Sequence, residues 1–543
     1  MRIALAQIDT TAADISGNLA RIRSFAARAR AAGAQLAVFP EQSLGGYPAL
    51  DLWEDASFIR ANERALQDLA RSAGEMGIIV GCIARNPSRI GKPIINAAAL
   101  LHRGRIAALR GKTLLPTYDV FDERRYFEPA ADNAPVRFLG RRIGLSICED
   151  AWARAPGRSR RLYPEDPVAV HARAGAEIII NVSASPFERG KTTLREKLLR
   201  GHVRRCGLPF VYCNQVGGDD ELVFDGNSLV FDARGRVVAR GKPFAEDLLL
   251  VDTAALPQAE APYVLSDIAE VEGALVLGIR DYLRKCGMSK ACIGLSGGID
   301  SAVVCALAAK ALGPGAVTGV AMPSRYSSAD SLADAEALAR DLGVRFINLP
   351  IDRLYSTYLQ DLGDPFGREI GTAEQNIQAR IRGTLLMARA NKEGGIVLST
   401  GNKSELSVGY CTLYGDMCGG LAVIADVTKT TVYELARWIN RERVVIPWRT
   451  IERAPSAELK PDQKDQDDLP PYAILDEILT AYVEERQDAD AIIRRGYPRK
   501  LVRDLIGRIE RNEYKRRQAA PNIKISPKAF GAGRRMPIAR GEF

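Results

Sequence analysis

The sequence predicts an α/β protein of two domains, in which a layered unit with mixed sheets precedes a doubly wound parallel sheet. Three observations support this class. The 543 residues exceed what one hydrophobic core usually contains, since domains hold roughly 100 to 200 residues. Short apolar runs alternate with Ala- and Arg-rich helical stretches, and this alternation becomes regular after about residue 268. With 46% hydrophobic and 26% charged residues, the composition is that of a folded globular protein rather than a disordered one.

Up to about residue 250, the apolar runs predict more strands than one simple parallel sheet would contain. The predicted strands are "RIALAQI", "AQLAVFP", "GIIVGCIA", "NAAALLH", "RRIGLSIC", "AEIIINVSAS", "LPFVYCNQVG" and "NSLVFDARGRVVA". The predicted helices are "NLARIRSFAARARAAG" and "RALQDLARSAGEMG". Turn signals such as "DARGR" join some strands as hairpins, which favours mixed sheets in layers.

The stretch from Asp252 to Asp267, "DTAALPQAEAPYVLSD", interrupts this pattern with prolines and predicts a linker. We therefore predict an N-terminal domain of residues 1–250, a linker of 251–268 and a C-terminal domain of 269–543. In the C-terminal domain, "ACIGL", "SAVVCALAAKALG", "AVTGVAMP", "SLADAEALARDLG" and "RFINLP" alternate strand and helix as in a doubly wound sheet. A polar, Pro-rich segment from Arg453 to Tyr472 predicts a mobile loop that could cover a site.

The charge of the chain leaves two classes of partner open. It has 75 Lys and Arg residues against 66 Asp and Glu residues, a balance of +9 that fits nucleic acid or a small polyanionic substrate. The densest basic stretch, Arg494 to Gln518, has apolar residues at helical spacing and predicts a solvated helix face.

Targeting and metal signals predict a cytoplasmic protein without a membrane partner. The start "MRIALAQIDTTAAD" has too few apolar residues for a signal peptide, and no apolar run approaches the ~20 residues of a membrane span. Nine cysteines lack a CxxC pair, and three histidines lack zinc-ligand spacing. We expect reduced thiols and no structural metal.

The stretch "IGLSGGIDSAVVCAL" predicts a phosphate-binding loop between a strand and a helix. Glycines allow close approach of an anion to backbone N–H groups at the helix start. The Walker pattern is absent here, and the "GKT" triplets at 111–113 and 190–192 lack its earlier glycine. Instead "SGGIDS" resembles the SGGxDS loop of the ATP pyrophosphatases, which cleave ATP between the α- and β-phosphates to adenylylate an acid. The resemblance assigns ATP contacts to Ser296, Gly297, Gly298, Ile299, Asp300 and Ser301, and Mg²⁺ to Asp300.

A longer block, "IVLSTGNKSELSVGYCTLYGDMCGGLAVIADVTKTTVYELARW", resembles the centre of the NAD synthetases, in their glutamine-dependent bacterial branch. The resemblance extends over nearly the whole chain. It implies that Thr400 contacts ATP, that Lys429 reaches ATP phosphate, and that Glu405 binds Mg²⁺ beside the dinucleotide. It also implies that Asn376 and Lys515 bind the dinucleotide substrate.

One position departs from the pattern of the family. Where ammonia-only synthetases carry a lysine before "YGD", this chain has Leu413. The substrate contact that the lysine makes there therefore does not carry over to Leu413 from the resemblance.

Three upstream segments each place one reactive residue after an apparent strand: Glu41 after "AVFP", Lys112 in "RGKTLLP" and Cys148 after "IGLSI". Their order and flanking sequence resemble the Glu-Lys-Cys triad of the nitrilase and amidase superfamily, which implies an α-β-β-α sandwich. Glu123, in "VFDER", matches the auxiliary second glutamate of that family. Family positions for glutamine fall on Tyr118, Ser185 and Lys191.

The chemistry of amide hydrolysis explains why the triad has these residue types. A carboxamide is a poor electrophile, so attack needs a thiolate, and a nearby ammonium lowers the pKa of a thiol. Glu41 would take the proton and return it to departing ammonia. Lys112 and the backbone N–H after Cys148 would stabilise the tetrahedral oxyanion.

Together the resemblances imply that glutamine, ATP and nicotinate adenine dinucleotide are converted to NAD, AMP, pyrophosphate and glutamate. They also imply a shielded ammonia channel, because free ammonia would be protonated and lost, and a homo-oligomer built on a synthetase-domain dimer. Two alternatives remain open. One is another glutamine-fed ATP pyrophosphatase that acts on a different acid. The other is an RNA-binding or RNA-modifying protein that uses the basic C-terminus, for which binding would fall steeply with salt.

Overall fold

The computed structural model describes residues 1–132, 134–154, 160–257 and 261–541. The chain divides into two compact units, Met1–Leu265 and Ser266–Phe543. The last strand of the first unit ends at Asp252, and the first helix of the second begins at Asp267. Residues 258–260 of the predicted linker lie outside the described residues.

The first unit contains strands β1 to β14 and helices α1 to α4. The strands are β1 Arg2–Gln7, β2 Leu36–Val38, β3 Gly77–Arg85, β4 Ile94–His102, β5 Arg105–Gly111, β6 Val136–Phe138, β7 Arg141–Ile147, β8 Ile178–Ser183, β9 Phe210–Asn214, β10 Val216–Asp219, β11 Leu222–Asp225, β12 Leu229–Phe231, β13 Val237–Arg240 and β14 Asp247–Asp252. The helices are α1 Ile15–Ala31, α2 Ala56–Ser72, α3 Pro167–Arg173 and α4 Lys191–Cys206.

Two six-stranded mixed sheets form the centre of this unit, in the orders β14-β1-β2-β3-β4-β5 and β13-β12-β9-β8-β7-β6. Apolar side chains of both sheets, among them Leu5, Val38, Leu145 and Ile180, form one buried layer between them. Helices α1 and α2 cover the outer face of the first sheet, and α3 and α4 that of the second. The predicted α-β-β-α sandwich is confirmed. Central strands such as β3 and β8 are near-continuous apolar runs because both of their faces are covered.

The second unit contains strands β15 to β19 and helices α5 to α16. The strands are β15 Ala291–Gly294, β16 Val317–Ala321, β17 Arg345–Asn348, β18 Ile396–Ser399 and β19 Leu421–Ala422. The helices are α5 Asp267–Lys285, α6 Ile299–Leu312, α7 Ala329–Leu342, α8 Asp352–Leu362, α9 Thr372–Glu393, α10 Lys403–Val408, α11 Lys429–Ile439, α12 Trp448–Glu452, α13 Tyr472–Leu479, α14 Ala489–Arg494, α15 Arg499–Arg511 and α16 Glu513–Arg516.

The sheet of the second unit is parallel, with strand order β17-β16-β15-β18-β19. From β15 the chain proceeds first to β16 and β17 on one side, and later to β18 and β19 on the other. The order therefore reverses between β15 and β18, and ligands of such sheets bind at the carboxyl ends of the strands beside that point. The predicted doubly wound sheet is confirmed.

The basic C-terminal stretch forms amphipathic helices, as predicted. In α15 the apolar side chains Val502, Leu505 and Ile509 are buried in a core cluster, while most of the arginines of the helix lie on its other faces. Within the part of the chain that the structure describes, every helix is too short or too polar to span a membrane.

Candidate functional site

Three buried ionisable side chains converge in the first unit. Glu41 follows β2, Lys112 follows β5, and Glu123 opens a short turn downstream. The Lys112 ammonium donates to Glu41 Oε1 at 2.8 Å and to Glu123 Oε1 at 2.7 Å. All three side chains are at most 1% exposed. The sequence-predicted glutamates and lysine therefore form one hydrogen-bonded cluster.

Cys148 lies at the carboxyl end of β7, as the first residue of a short 3-10 turn. Its φ of 39° is in the left-handed region, which is costly for a residue other than glycine. The thiol is buried and close enough to Glu41 and Lys112 for both charges to act on it. A sharp turn of this kind presents a nucleophile at the end of a strand, where the cluster can reach it.

The electrostatics of this site favour a protonated thiol before substrate arrives. Burial raises the pKa of Cys148 well above its ordinary value, and the charge of Glu41 adds to this, while Lys112 lowers it only in part. Burial would lower the pKa of Lys112, but the charges of Glu123 and Glu41 outweigh it and raise that pKa. Burial also raises the pKa of Glu123 to about 7. The thiol therefore needs a base in addition to the neighbouring ammonium, which is the role that the sequence analysis predicts for Glu41.

Glycine at position 81 allows the Glu41 segment to approach β3. A Cβ at Gly81 would lie 2.2 Å from Gln42 N and 2.5 Å from the carbonyl carbon of Glu41. A larger residue would therefore displace the backbone that carries the Glu41 carboxylate.

Two of the three positions predicted to bind glutamine lie beside the Cys148 turn, and the third follows a residue that contacts Glu41. The Tyr118 hydroxyl donates to the carboxylate of Glu149, the residue after Cys148, at 2.9 Å. Ser185 is buried and follows Ala184, whose backbone N–H donates to Glu41 Oε2 at 3.0 Å. Lys191 begins α4, with its ammonium 5.5 Å from the centre of the Trp152 ring.

A cavity of about 500 Å³ occupies the carboxyl end of the sheet in the second unit. Its lining includes every residue of this unit that the sequence predicted for the site. These are Ser296, Gly297, Gly298, Ile299, Asp300, Ser301, Asn376, Thr400, Glu405, Lys429 and Lys515. The loop after β15 and Thr400 after β18 flank the point where the strand order reverses, so the fold itself brings them together.

The loop after β15 has the backbone that the phosphate hypothesis requires. Gly297 has a φ of +77°, and a Cβ there would lie 2.3 Å from the Ser331 carbonyl oxygen. Gly298 caps α6, and its carbonyl accepts from the Ser301 hydroxyl at 2.9 Å. The loop therefore passes directly into a helix start whose N–H groups favour an anion.

Two carboxylates and one ammonium meet at the edge of this loop. Lys429 Nζ lies 2.5 Å from Asp300 Oδ2 and 3.2 Å from Glu405 Oε1. Asn402 Nδ2 donates to Asp300 Oδ1 at 2.9 Å. Burial raises the pKa of Glu405 to about 8, although Lys429 counteracts this. Burial lowers the pKa of Lys429, but the charges of Asp300 and Glu405 outweigh it and raise that pKa.

Asn376 and Lys515 both hold the loop that precedes β19. Asn376 Oδ1 accepts from the Thr412 hydroxyl at 2.8 Å, and the Lys515 ammonium donates to the carbonyls of Gly409 and Cys411 at 2.7 and 2.8 Å. Leu413, on the same loop, packs in an apolar cluster with neighbours that include Leu406, Met417 and Ala519. In this chain the position therefore serves packing.

The segment predicted as a loop over a site borders the cavity, with Pro455, Glu458 and Leu459 in its lining. Glu458 Oε1 accepts from the Ser331 hydroxyl at 2.7 Å, and the Leu459 carbonyl accepts from Gln378 Nε2 at 2.9 Å. These contacts fasten the segment to α7 and α9. Its mobility stays a prediction.

Comparisons with known proteins agree with both halves of this geometry. The "Carbon-nitrogen hydrolase" family model matches residues 2–261, and the "NAD synthase" model matches residues 271–519. A glutamine-dependent NAD(+) synthetase of Synechocystis sp. is 46% identical, with 99% of this chain and 98% of the relative covered. One of Thermotoga maritima is 42% identical, with the same coverage of both chains. The chain belongs to the glutamine-dependent NAD(+) synthetase family. The family predicted from the sequence is thereby confirmed.

Solved structures of the family share this fold along the whole chain. A glutamine-dependent NAD+ synthetase from Acinetobacter baumannii in complex with ADP is 38% identical and has a TM-score of 0.78. The match covers 99% of this chain and 98% of the relative. A synthetase from Cytophaga hutchinsonii has a TM-score of 0.83 at 23% identity, with 99% and 97% covered, and supports the fold alone.

Several polar residues of the sites were missed from the sequence. Asn96 Nδ2 donates to Glu41 Oε1 at 2.6 Å, and the Tyr47 hydroxyl donates to Glu123 Oε1 at 2.9 Å. Asn96 is fully buried within β4, and an asparagine in the otherwise apolar run "IINAAALL" is a signal that could have indicated it. Asn402 could have been found from the capping pattern Asn-x-x-Glu at the start of α10.

Proposed function

We propose that this chain makes NAD from nicotinate adenine dinucleotide, with ATP as the activating substrate and glutamine as the nitrogen donor. Nicotinate adenine dinucleotide, ATP, glutamine and water give NAD, AMP, pyrophosphate and glutamate. The observation that carries the proposal is the pairing of two sites on one chain: a buried Glu41-Lys112-Cys148 site and a cavity at the switch point of a phosphate-loop sheet. The names of the relatives, glutamine-dependent NAD(+) synthetases, support glutamine as the nitrogen donor and NAD as the product.

The first unit supplies ammonia. The Cys148 thiol attacks the side-chain carbonyl of glutamine while Glu41 takes its proton, which suits a thiol whose pKa burial has raised. We assign stabilisation of the oxyanion to Lys112, whose ammonium pairs with two glutamates. Ammonia leaves with a proton from Glu41, and water then hydrolyses the thioester to glutamate. We assign glutamine binding to Tyr118, Ser185 and Lys191.

The second unit activates the acid. We propose that Ser296, Gly297, Gly298, Ile299, Asp300, Ser301, Thr400 and Lys429 bind ATP, and that Asn376, Glu405 and Lys515 bind the dinucleotide. The nicotinate carboxylate attacks the α-phosphate, pyrophosphate leaves, and ammonia then displaces AMP from the adenylylated acid. A relative that bound ADP in its solved structure supports a nucleotide in this cavity.

The residues around Asp300 fit a magnesium ion. Asp300 and Glu405 direct carboxylate oxygens at one cationic group, the Lys429 ammonium, and Mg²⁺ prefers one or two carboxylates together with phosphate oxygens and water. Among the described residues, no group of three or more His, Cys, Asp and Glu side chains is arranged to hold a metal by itself. We propose that Asp300 and Glu405 hold Mg²⁺ together with ATP. When bound, the ion neutralises charge on the departing pyrophosphate.

Coupling of the two sites follows from the chemistry of ammonia, which is largely protonated and unreactive in neutral water. We propose that residues 1–250 form the glutaminase domain, that 269–543 form the synthetase domain, and that ammonia passes between them through a shielded channel without mixing with solvent.

A cytoplasmic location and a homo-oligomer complete the proposal. All nine cysteines are free thiols, which suits a reducing compartment. Leu354, Tyr358 and Leu362 form an exposed apolar stripe at every fourth position of α8, which supports self-association of the synthetase unit. Sedimentation velocity measures the size of the assembly directly.

A panel of carboxylic acids with α-³²P-labelled ATP tests the choice of substrate. We expect AMP and pyrophosphate to form with nicotinate adenine dinucleotide, because Asn376, Glu405 and Lys515 line the cavity and match the dinucleotide-binding positions of the family. AMP formation with aspartate or xanthylate, but not with the dinucleotide, would indicate that the chain is a glutamine-fed ATP pyrophosphatase that acts on a different acid. Salt-sensitive binding of RNA with no AMP formation would favour the nucleic-acid alternative.

A further inference from the structure

Asp150 lies where the two catalytic segments of the first unit meet. Lys112 directly follows β5, the edge strand of one sheet, and Cys148 directly follows β7, a strand of the other sheet. The side chain of Asp150 is 1% exposed. The two strands belong to different sheets, so no backbone ladder joins their ends, and side-chain contacts there add to the core packing in fixing Lys112 relative to Cys148.

The carboxylate of Asp150 makes such contacts with both segments. Its Oδ1 accepts from the backbone N–H groups of Thr113 and Leu114, the two residues after Lys112, at 3.0 and 2.8 Å. Its Oδ2 accepts from the N–H of Ile147, the residue before Cys148, at 3.0 Å. One oxygen therefore holds the lysine segment, and the other holds the cysteine turn.

These bonds require both carboxylate oxygens. Hydrogen bonds to an ionised acceptor are stronger than those between neutral groups, and a buried carboxylate needs them to offset its desolvation. Burial raises the pKa of Asp150 to about 7, while the N–H groups of Ile147 and Leu114 lower it in part. The three donors thus favour the ionised form that can accept from both sides.

We propose that Asp150 is a positioning residue that fixes the Lys112 ammonium relative to the Cys148 thiol in glutamine hydrolysis. The inference rests on the proposed glutaminase function of the first unit. Glu41 and Lys112 meet through their own side chains, whereas Cys148 is linked to this pair through the backbone that Asp150 holds. Without the hydrogen bonds of Asp150, the chain keeps Glu41, Lys112 and Cys148, but the thiol is no longer held in position relative to the other two side chains.

Asp150→Asn tests the inference with a side chain of nearly the same size. An amide has only one acceptor oxygen, so its NH₂ group must face either the Thr113 and Leu114 donors or the Ile147 donor. We expect kcat for glutamine hydrolysis to fall ~10² to 10³-fold, as for a displacement of about 1 Å at a reacting centre. KM for glutamine should change less than about threefold, because Tyr118, Ser185 and Lys191 are untouched.

A second readout reports on the thiol itself. The pH profile of Cys148 alkylation by iodoacetamide should shift to higher pH in the variant, since Lys112 would no longer counteract the charge of Glu41 on the thiol. Ammonia-dependent NAD synthesis in the same protein should keep its wild-type rate. A purely structural role would lower thermal stability but leave the alkylation profile where it is.

Asp232→Asn is the matched control. Asp232 is also a buried carboxylate of the first unit, and its Oδ1 accepts from the backbone N–H groups of Arg234 and Arg236 at 3.0 and 2.8 Å, within a single hairpin. We expect it to lose stability without any change in kcat or in the alkylation profile. An equal loss of kcat in Asp232→Asn would overturn the inference, as would wild-type kcat in a folded Asp150→Asn protein.

Asp150→Glu tests the positioning role of Asp150 if the Asp150→Asn variant does not fold. Glutamate keeps both oxygens but is longer by one methylene, so a fall in kcat of about tenfold with a shifted alkylation profile is expected. Wild-type values in that variant would overturn the inference. Cys148→Ala distinguishes failure of the Asp150 inference from failure of the proposed function. If glutamine-dependent synthesis survives without the thiol, the glutaminase site itself is refuted.

Discussion

Cys148→Ala is expected to abolish glutamine-dependent NAD synthesis and to leave ammonia-dependent synthesis at the wild-type rate. Without sulfur no thioester can form, and removal of a covalent nucleophile lowers turnover by ~10⁴-fold or more. The cavity that we propose to bind ATP lies in the second unit, so its chemistry should not depend on the thiol. NAD formation should be measured with glutamine and, separately, with ammonium chloride at a pH that raises the fraction of neutral ammonia.

Cys82→Ala is the matched control for this change. Cys82 is a fully buried thiol of β3 in the same unit, packed in an apolar cluster. Loss of a buried thiol there should cost about 1 to 2 kcal/mol of unfolding free energy and leave glutamine use intact. Persistent glutamine-driven synthesis in folded Cys148→Ala would remove Cys148 from the reaction. Loss of both nitrogen sources at normal stability would show that the two sites are not chemically separate.

Asp300→Asn is expected to abolish AMP and pyrophosphate formation while glutaminase activity remains measurable. The substitution removes one of two carboxylates that share the Lys429 ammonium. A neutral amide binds Mg²⁺ poorly and leaves the pyrophosphate charge uncompensated, so we expect a fall of ~10³-fold or more in pyrophosphate release. Pyrophosphate release and glutamate formation should be measured in parallel on the same preparation.

Asp341→Asn serves as the control, because Asp341 is a surface residue at the end of α7 that pairs with the neighbouring Arg340. Its rates of pyrophosphate and glutamate formation should equal those of the wild type. Normal pyrophosphate release in Asp300→Asn would exclude Asp300 from the proposed metal site, whereas loss of pyrophosphate release in the control would point to general damage of the second unit.

The sequence predicted the fold well where apolar runs are continuous and covered on both faces. Strands such as β3 and β8 are fully or almost fully buried and have an unambiguous pattern. By contrast, β5 and β14 were not predicted. β5 is an edge strand with a half-exposed pattern, and β14 returns from the end of the unit to pair with β1. Such pairings join residues far apart in sequence, and no local pattern encodes them.

The sequence predicted residues that the structure brings together, because the chemistry proposed for them restricts their types, whereas it did not predict the residues that hold them. Glu41, Lys112 and Cys148 each follow a strand within flanking sequence that is distinctive of a family. Asp150 looks like part of an ordinary acidic pair in "CEDAW", and only the structure brings Thr113 and Leu114 to its carboxylate. Positioning depends on which strand ends meet, and that is a property of the tertiary fold.

Transfer of nitrogen from glutamine into NAD tests most directly whether the two sites work as one reaction. Wild-type protein should be given amide-¹⁵N glutamine, ATP, Mg²⁺ and nicotinate adenine dinucleotide in the presence of excess unlabelled ammonium chloride, and the NAD carboxamide analysed by mass spectrometry. We expect a carboxamide that is almost entirely ¹⁵N, with one AMP and one pyrophosphate formed per NAD. A carboxamide whose label matches the bulk ammonium pool, or glutamate formed with no labelled NAD, would contradict direct transfer of nitrogen between the two sites.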